Sequence, residues 1–199
     1  MCAEKSEIER ERERVAYHEA GHVVVFLEYG WLFEYVTILH SQVSGDQANP
    51  HVHSPWLQSM LEREDFAVRE LDKVIMIRLA GMASERVRQN DWGPLAIEDM
   101  RQLDWMRCRD LYEETHRISL LDATSTFYPL LKKVQNLLAT PSLQRRVEAI
   151  AQELLKHGRR TGDQVREAIE AAETSPRTSS CERGPAPPSR GGFGHGAMG

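Results

Sequence analysis

The sequence predicts a mainly α-helical domain with one small β element. Two observations carry this prediction: cap signals mark several helix starts and ends, and only one short stretch is rich in β-branched and aromatic residues. Residues 1–173 make up the predicted domain, whose length suits a single hydrophobic core. Residues 174–199 make up a predicted disordered tail, because Pro, Gly and Ser account for more than half of them and leave too little apolar surface to bury.

The first helix is predicted to begin after Ser6, which forms a capping-box pattern with Glu9. It runs towards Gly30, a residue typical of the position just beyond a helix end. Residues 34–39 are the strand candidate, since their Tyr, Val, Thr and Ile favour extended backbone. A looser stretch follows, marked by Gly45, Pro50 and Pro55.

The next elements are predicted to be three helices. The first spans residues 63–89, and the Gly-Pro pair at residues 93–94 breaks the chain after it. The second and third span residues 95–116 and 128–138. The sequence contains no internal repeat, so these helices are expected to belong to a single domain.

Two more helices complete the predicted domain. Thr140 is a helix cap with a proline directly after it, and that helix stops at Gly158. Thr161 with Gln164 forms a second capping box, which opens a helix that ends near residue 173.

Composition excludes several classes of protein. Against 25 basic side chains there are 30 acidic ones, a net charge of −5, which argues against nucleic-acid binding. Every apolar run is far shorter than the ~20 residues of a membrane span, and residues 1–14 are mostly Glu and Arg, unlike a signal peptide. The three cysteines form no CxxC pair, which suits a reducing compartment and predicts a cytoplasmic protein.

The string His18-Glu19-Ala20-Gly21-His22 is the strongest sign of chemistry. Positions four apart on a helix point the same way one turn apart, so both imidazoles can bind one zinc ion. Glu19 stands beside them, where it can take a proton from the water that zinc activates. The alternative is an ordinary pair of histidines on an amphipathic helix.

A catalytic zinc needs a third protein ligand and one open position. In the metzincin class of zinc peptidases, the motif continues with a Gly three residues and a third His six residues after the second His. The chain has Val25 and Glu28 at these two positions, so this continuation is absent. The third ligand must therefore come from another part of the chain.

The block at residues 15–22 (Val-Ala-Tyr-His-Glu-Ala-Gly-His) resembles the peptidase domain of the FtsH family, the M41 zinc metallopeptidases. Shorter blocks resemble the same family in the same order, at residues 36–39, 79–87, 98–103 and 153–165. The resemblance covers roughly residues 10–172 and implies a helical zincin-type peptidase fold. It also implies that His18 and His22 are zinc ligands, that Glu19 is the general base and that Asp99 is the third zinc ligand.

Alternatives stay open for several of these residues. The alternative for Asp99 is a negative charge that stabilises a helix N-terminus without binding metal, and Glu98 is the nearest competing ligand. His51 and His53 are expected to lie in a loop without a metal role. The strand at residues 36–39 is either an ordinary core strand or a sheet edge to which a substrate adds a strand.

The predicted function is a zinc-dependent endopeptidase acting on flexible or unfolded polypeptides. The chain contains no GxxxxGK[ST] motif, so an ATPase motor is expected to be missing; a homo-oligomer or an ATPase partner acting in trans stays open. The rival prediction is a zinc-stabilised, non-catalytic module or adaptor that binds other proteins. The third prediction is a helical scaffold that binds no metal.

Overall fold

The structure, a computed structural model, describes residues 5–39, 50–95, 103–116 and 120–174. The helices in these residues are α1 (Glu7–Glu28), α2 (Pro55–Leu61), α3 (Glu64–Arg69), α4 (Leu71–Arg88), α5 (Leu103–His116), α6 (Leu120–Leu138), α7 (Pro141–His157) and α8 (Gly162–Thr174). The strands are β1 (Tyr35–Thr37), β2 (His51–His53) and β3 (Arg159–Thr161). The predicted mainly helical fold with a small β element is confirmed. The predicted tail, apart from the last residue of α8, lies outside the described residues.

The capping boxes at Ser6 and Thr161 formed as predicted, whereas Thr140 precedes α7 as predicted but makes no side-chain cap hydrogen bond. The Ser6 hydroxyl accepts a hydrogen bond from the Glu9 backbone N–H at 3.2 Å, and the Glu9 carboxylate accepts one from the Ser6 N–H at 2.8 Å. Gly30 follows α1 with a φ of +68°, a left-handed conformation that favours glycine. At the start of α8, the Thr161 N–H donates to the Gln164 side chain at 3.0 Å, and the Thr161 hydroxyl accepts in return at 3.4 Å.

Two helix predictions and one loop prediction need correction. The helix predicted over residues 63–89 is interrupted at Glu70, which separates α3 from α4. The stretch predicted to be loose contains α2, whose cap is Ser54, a residue with a proline directly after it. The helix predicted to start at residue 128 begins at residue 120, with Pro129 inside it. Burial of neighbouring apolar side chains such as Phe127 outweighs the loss of one backbone hydrogen bond at that proline.

The three strands form one antiparallel sheet in the order β2-β1-β3. Val36 of β1 stands opposite Val52 on one side and Arg160 on the other, so the strand takes the central position rather than an edge. The predicted loop at His51 and His53 is wrong, because pairing with β1 makes this segment strand β2. Strand β3 was not predicted either. Three-residue strands carry too little periodicity to be recognised without their partners.

The core forms where α1 packs against α4 and α7, and where α4 packs in turn against α6. The approach of α1 and α4 is close, because a Cβ added at Gly21 would lie 2.5 Å from the Ala80 carbonyl oxygen. This contact brings the predicted zinc helix alongside α4. Among the described residues, no helix combines the length and the apolar character that crossing a bilayer requires.

A candidate metal centre between three helices

Helices α1 and α5 bring three ligand atoms to one place. The Nε2 atoms of His18 and His22 lie 2.8 Å and 3.3 Å from Oδ2 of Asp104. The three ligand atoms all lie within 4.8 Å of one another. The α-helical spacing of the two histidines thus places their rings one turn apart, as the motif predicted.

These residues fit a zinc ion by chemistry and by spacing. Two imidazoles and one carboxylate are a ligand set of catalytic zinc sites, which keep a fourth position open. Zinc bonds of about 2.0–2.2 Å at tetrahedral angles separate ligand atoms by roughly 3.3–3.6 Å. The spacing between His22 Nε2 and Asp104 Oδ2, 3.3 Å, falls in this range, whereas His18 Nε2 lies at the hydrogen-bond distance of 2.8 Å from the same oxygen and would have to move away by about half an ångström to bind the ion with it.

Both histidine rings are held by hydrogen bonds on the side away from the centre. Nδ1 of His18 lies 2.5 Å from Oε1 of Glu85, and Nδ1 of His22 lies 2.7 Å from the Ile77 carbonyl oxygen. An acceptor at Nδ1 favours a proton there and leaves the Nε2 lone pair for a metal. Helix α4 therefore orients both ligands.

Further residues hold this orienting layer in place. The guanidinium of Arg14 donates to both carboxylate oxygens of Glu85 at 2.9 Å and also binds Glu11. Gly81 of α4 lies directly beneath the His18 ring, and a Cβ at Gly81 would overlap that ring. The position of the His18 ring thus depends on the Glu85 carboxylate at its Nδ1 atom and on the absence of a side chain at Gly81.

The charges at the centre favour a cation. Burial by itself lowers the pKa of His18, but its hydrogen bonds with Asp104 and Glu85 outweigh burial and raise that pKa to about 10. Burial likewise opposes ionisation of Asp104, yet the charge of His22 and the hydrogen bond with His18 hold its pKa well below the usual range. The carboxylates thus attract positive charge strongly, and a metal ion would provide it.

Glu19 is the most unusual group at the centre. Its side chain is only 4% exposed, and its Oε2 atom is buried without a hydrogen-bond partner among the described residues. Burial raises the pKa of Glu19, and the charges of His22 and His18 counteract part of that rise. A buried carboxylate oxygen without a partner is costly, so it marks a site where a ligand or a reacting proton is expected.

The centre opens into a cleft of about 1180 Å³. One wall is β2 with the residues next to it, and the opposite walls come from α4 and α5. His51 of β2 lines this cleft, and its charge acts on Glu19. The volume exceeds that of ordinary small-molecule pockets, about 300–1,000 Å³, and suits an extended chain segment.

The structure brings together three of the four predicted site residues. His18, Glu19 and His22 lie at the centre, whereas Asp99 lies outside the described residues and stays a prediction. Asp104 was missed by sequence reasoning. Asp104 stands one helix turn before the fully buried Cys108, so it lies on the inward face of α5, but that burial is not readable from the sequence.

No protein-family model matches the chain, and no curated protein matches it. The likeness to M41 peptidases therefore rests on the short sequence blocks alone. The geometry of the centre is independent of that likeness, because it follows from the positions of α1, α4 and α5.

Proposed function

We propose that this chain is a zinc-dependent endopeptidase of the M41 type, acting on flexible or unfolded polypeptides. One observation carries the proposal: the buried, unpartnered carboxylate of Glu19 stands next to a compact set of two imidazoles and a carboxylate at the base of an open cleft. Structural zinc sites are closed by four protein ligands and need no adjacent base. A three-ligand set with a neighbouring carboxylate supports catalysis instead.

His18, His22 and Asp104 are the proposed zinc ligands. When bound, zinc supplies polarisation of the scissile carbonyl and lowers the pKa of a water molecule from ~15.7 towards ~7. Glu85 and the Ile77 carbonyl act as positioning groups, because they fix which nitrogen of each histidine faces the centre.

Glu19 is the proposed general base and acid. It takes a proton from the attacking water and passes it to the nitrogen of the leaving amine, so that its own charge is restored after each turnover. Burial suits this role, because it raises the pKa of Glu19 and makes the carboxylate a better proton acceptor.

Strand β2 is the proposed binding edge for substrate. Among the described residues it forms one edge of the sheet, and it lies along the cleft wall. An extended polypeptide that adds a strand to β2 would gain backbone hydrogen bonds beside the metal centre. Such binding needs an extended substrate, so a folded protein would have to be unfolded first.

The cysteines support a reducing compartment for this protein. The sequence has three cysteines without a CxxC pair, and Cys108 is free and buried. We therefore propose the cytoplasm as its location.

The decisive experiment compares wild type with Glu19→Gln, measuring bound zinc and the cleavage of casein as an unfolded substrate. The variant should keep stoichiometric zinc, because Glu19 is not a ligand, and should lose cleavage by at least about a hundredfold. His22→Ala serves as the control, which should lose both bound zinc and cleavage of casein. Zinc without cleavage in the wild type would favour the non-catalytic module, and equal activity in Glu19→Gln would refute the mechanism.

A further inference from the structure

Arg78 of α4 lines the same cleft as the metal centre but has no partner among the described residues. Its Nε atom is buried without a hydrogen bond, and no hydrogen bond or ion pair joins its guanidinium to another described residue. It directly follows Ile77, whose carbonyl oxygen orients His22. By contrast, Arg14 on the neighbouring helix lines the cleft as well and is fully engaged by Glu11 and Glu85.

Arg78 is half-buried, and leaving its buried Nε–H group without a partner costs stability. Arginine stays protonated in proteins, so it cannot lose its charge to relieve burial. The cleft wall around it is partly apolar, with Val74, Ile77 and Leu111 nearby, which weakens solvation and strengthens any ion pair formed there. Polar groups taken out of water are normally paired in native proteins, and no described residue pairs with the Arg78 Nε, so a carboxylate bound in the cleft would supply a partner.

The acidic side chains of α5 that line the same cleft already have partners. Asp104 lies between His18 and His22, and Asp110 pairs with Arg109 at 2.6 Å. Among the described residues, Arg78 lines the cleft that a bound polypeptide would fill. The planar guanidinium is suited to hold a carboxylate with two parallel hydrogen bonds.

We propose that Arg78 determines specificity by binding a carboxylate of the substrate close to the scissile bond. The inference rests on the proposed function, because it assumes that the cleft binds polypeptides. The carboxylate has two sources, an Asp or Glu side chain within the chain or the C-terminal carboxylate of a peptide. The first makes the protein an endopeptidase that prefers acidic positions, and the second limits cleavage to chain ends.

The test measures peptide binding to the zinc-loaded, full-length Glu19→Gln variant, so that it does not depend on turnover. Fluorescent decapeptides carry Glu or Gln at each position in turn, and each is made with a C-terminal acid or an amide. Fluorescence anisotropy should show about tenfold or tighter binding for one carboxylate over its neutral counterpart, as a charged hydrogen bond provides. The position of that carboxylate distinguishes the two sources.

Adding Arg78→Met, which keeps the length of the side chain but removes its charge, should abolish the preference. Arg109→Met is the matched control, since Arg109 is paired with Asp110 and does not line the cleft, and it should keep the preference. No binding, no preference for a carboxylate, or a preference that survives Arg78→Met would overturn the inference.

Two further measurements separate substrate binding by Arg78 from a structural role and from peptidase activity. Thermal unfolding of Arg78→Met should occur at the wild-type temperature or above, because an unpaired charge is removed; a fall of several degrees would show an internal partner and overturn the inference. Cleavage of the same peptides by wild type tests the proposed function separately. Turnover without carboxylate preference rejects only the role of Arg78, and preference without turnover rejects only the peptidase.

Discussion

Replacing Asp104 with Ala tests the geometry of the metal centre most directly. Its Oδ2 atom lies 2.8 Å from His18 Nε2 and 3.3 Å from His22 Nε2, so it completes the set of three ligand atoms. The side chain is mostly buried, with 17% of its surface exposed, and water has limited access to replace the lost oxygen. We expect Asp104→Ala to lose most of the affinity for zinc.

The size of the loss follows from the number of ligands. Zinc sites in small domains bind with about 10–16 kcal/mol in total, so each of three or four ligands contributes about 3–4 kcal/mol. Losing one ligand should therefore weaken zinc binding by roughly 100- to 1000-fold. The two histidines remain one turn apart, so weak residual binding is expected.

Competition against a chromophoric zinc chelator measures the affinity, and circular dichroism checks that each variant is folded. Asp110→Ala is the matched control, because Asp110 is an exposed carboxylate on the same helix and is paired with Arg109. Asp99→Ala tests the ligand that the family resemblance implies. Asp104→Ala should show the large loss, and both other variants should bind zinc within a few-fold of wild type.

Two results would refute this reasoning. If Asp104→Ala kept an affinity within about threefold of wild type, the three-residue set would not be the zinc site. If Asp99→Ala showed the larger loss, the third ligand would be the one implied by resemblance, and Asp104 would only be a hydrogen-bond partner of the histidines.

Three further variants concern residues on and around the helix that carries His18 and His22. Glu85→Gln should weaken zinc binding about 10- to 100-fold, because it removes the charged acceptor at His18 Nδ1; unchanged affinity in the chelator competition would contradict this role. Gly81→Ala should displace the His18 ring and lower zinc affinity at least about tenfold, while urea unfolding shifts by about 1 kcal/mol or less, since a side chain can move aside. Gly21→Ala should instead destabilise the fold by about 1–3 kcal/mol, because its Cβ meets the Ala80 backbone; equal effects of the two glycine variants would contradict this distinction.

Local features of this protein were readable from its sequence. Capping boxes at Ser6 and Thr161 and the glycine after α1 act within one helix turn, so neighbouring residues suffice to predict them. The spacing of His18 and His22 likewise needs only the geometry of a single helix. Mainly helical architecture follows from many such local signals acting together.

Tertiary packing decided what depends on residues far apart in the chain. Asp104 reaches His18 across 86 positions, and Glu85 reaches it across 67, so no local pattern shows either contact. Strand β2 exists because β1 pairs with it, and its three residues alone resemble a loop. The periodicity of one helix predicts two proposed ligands and a proposed base. The third proposed ligand, the Glu85 carboxylate that contacts His18 and the cleft wall require several elements to pack against that helix.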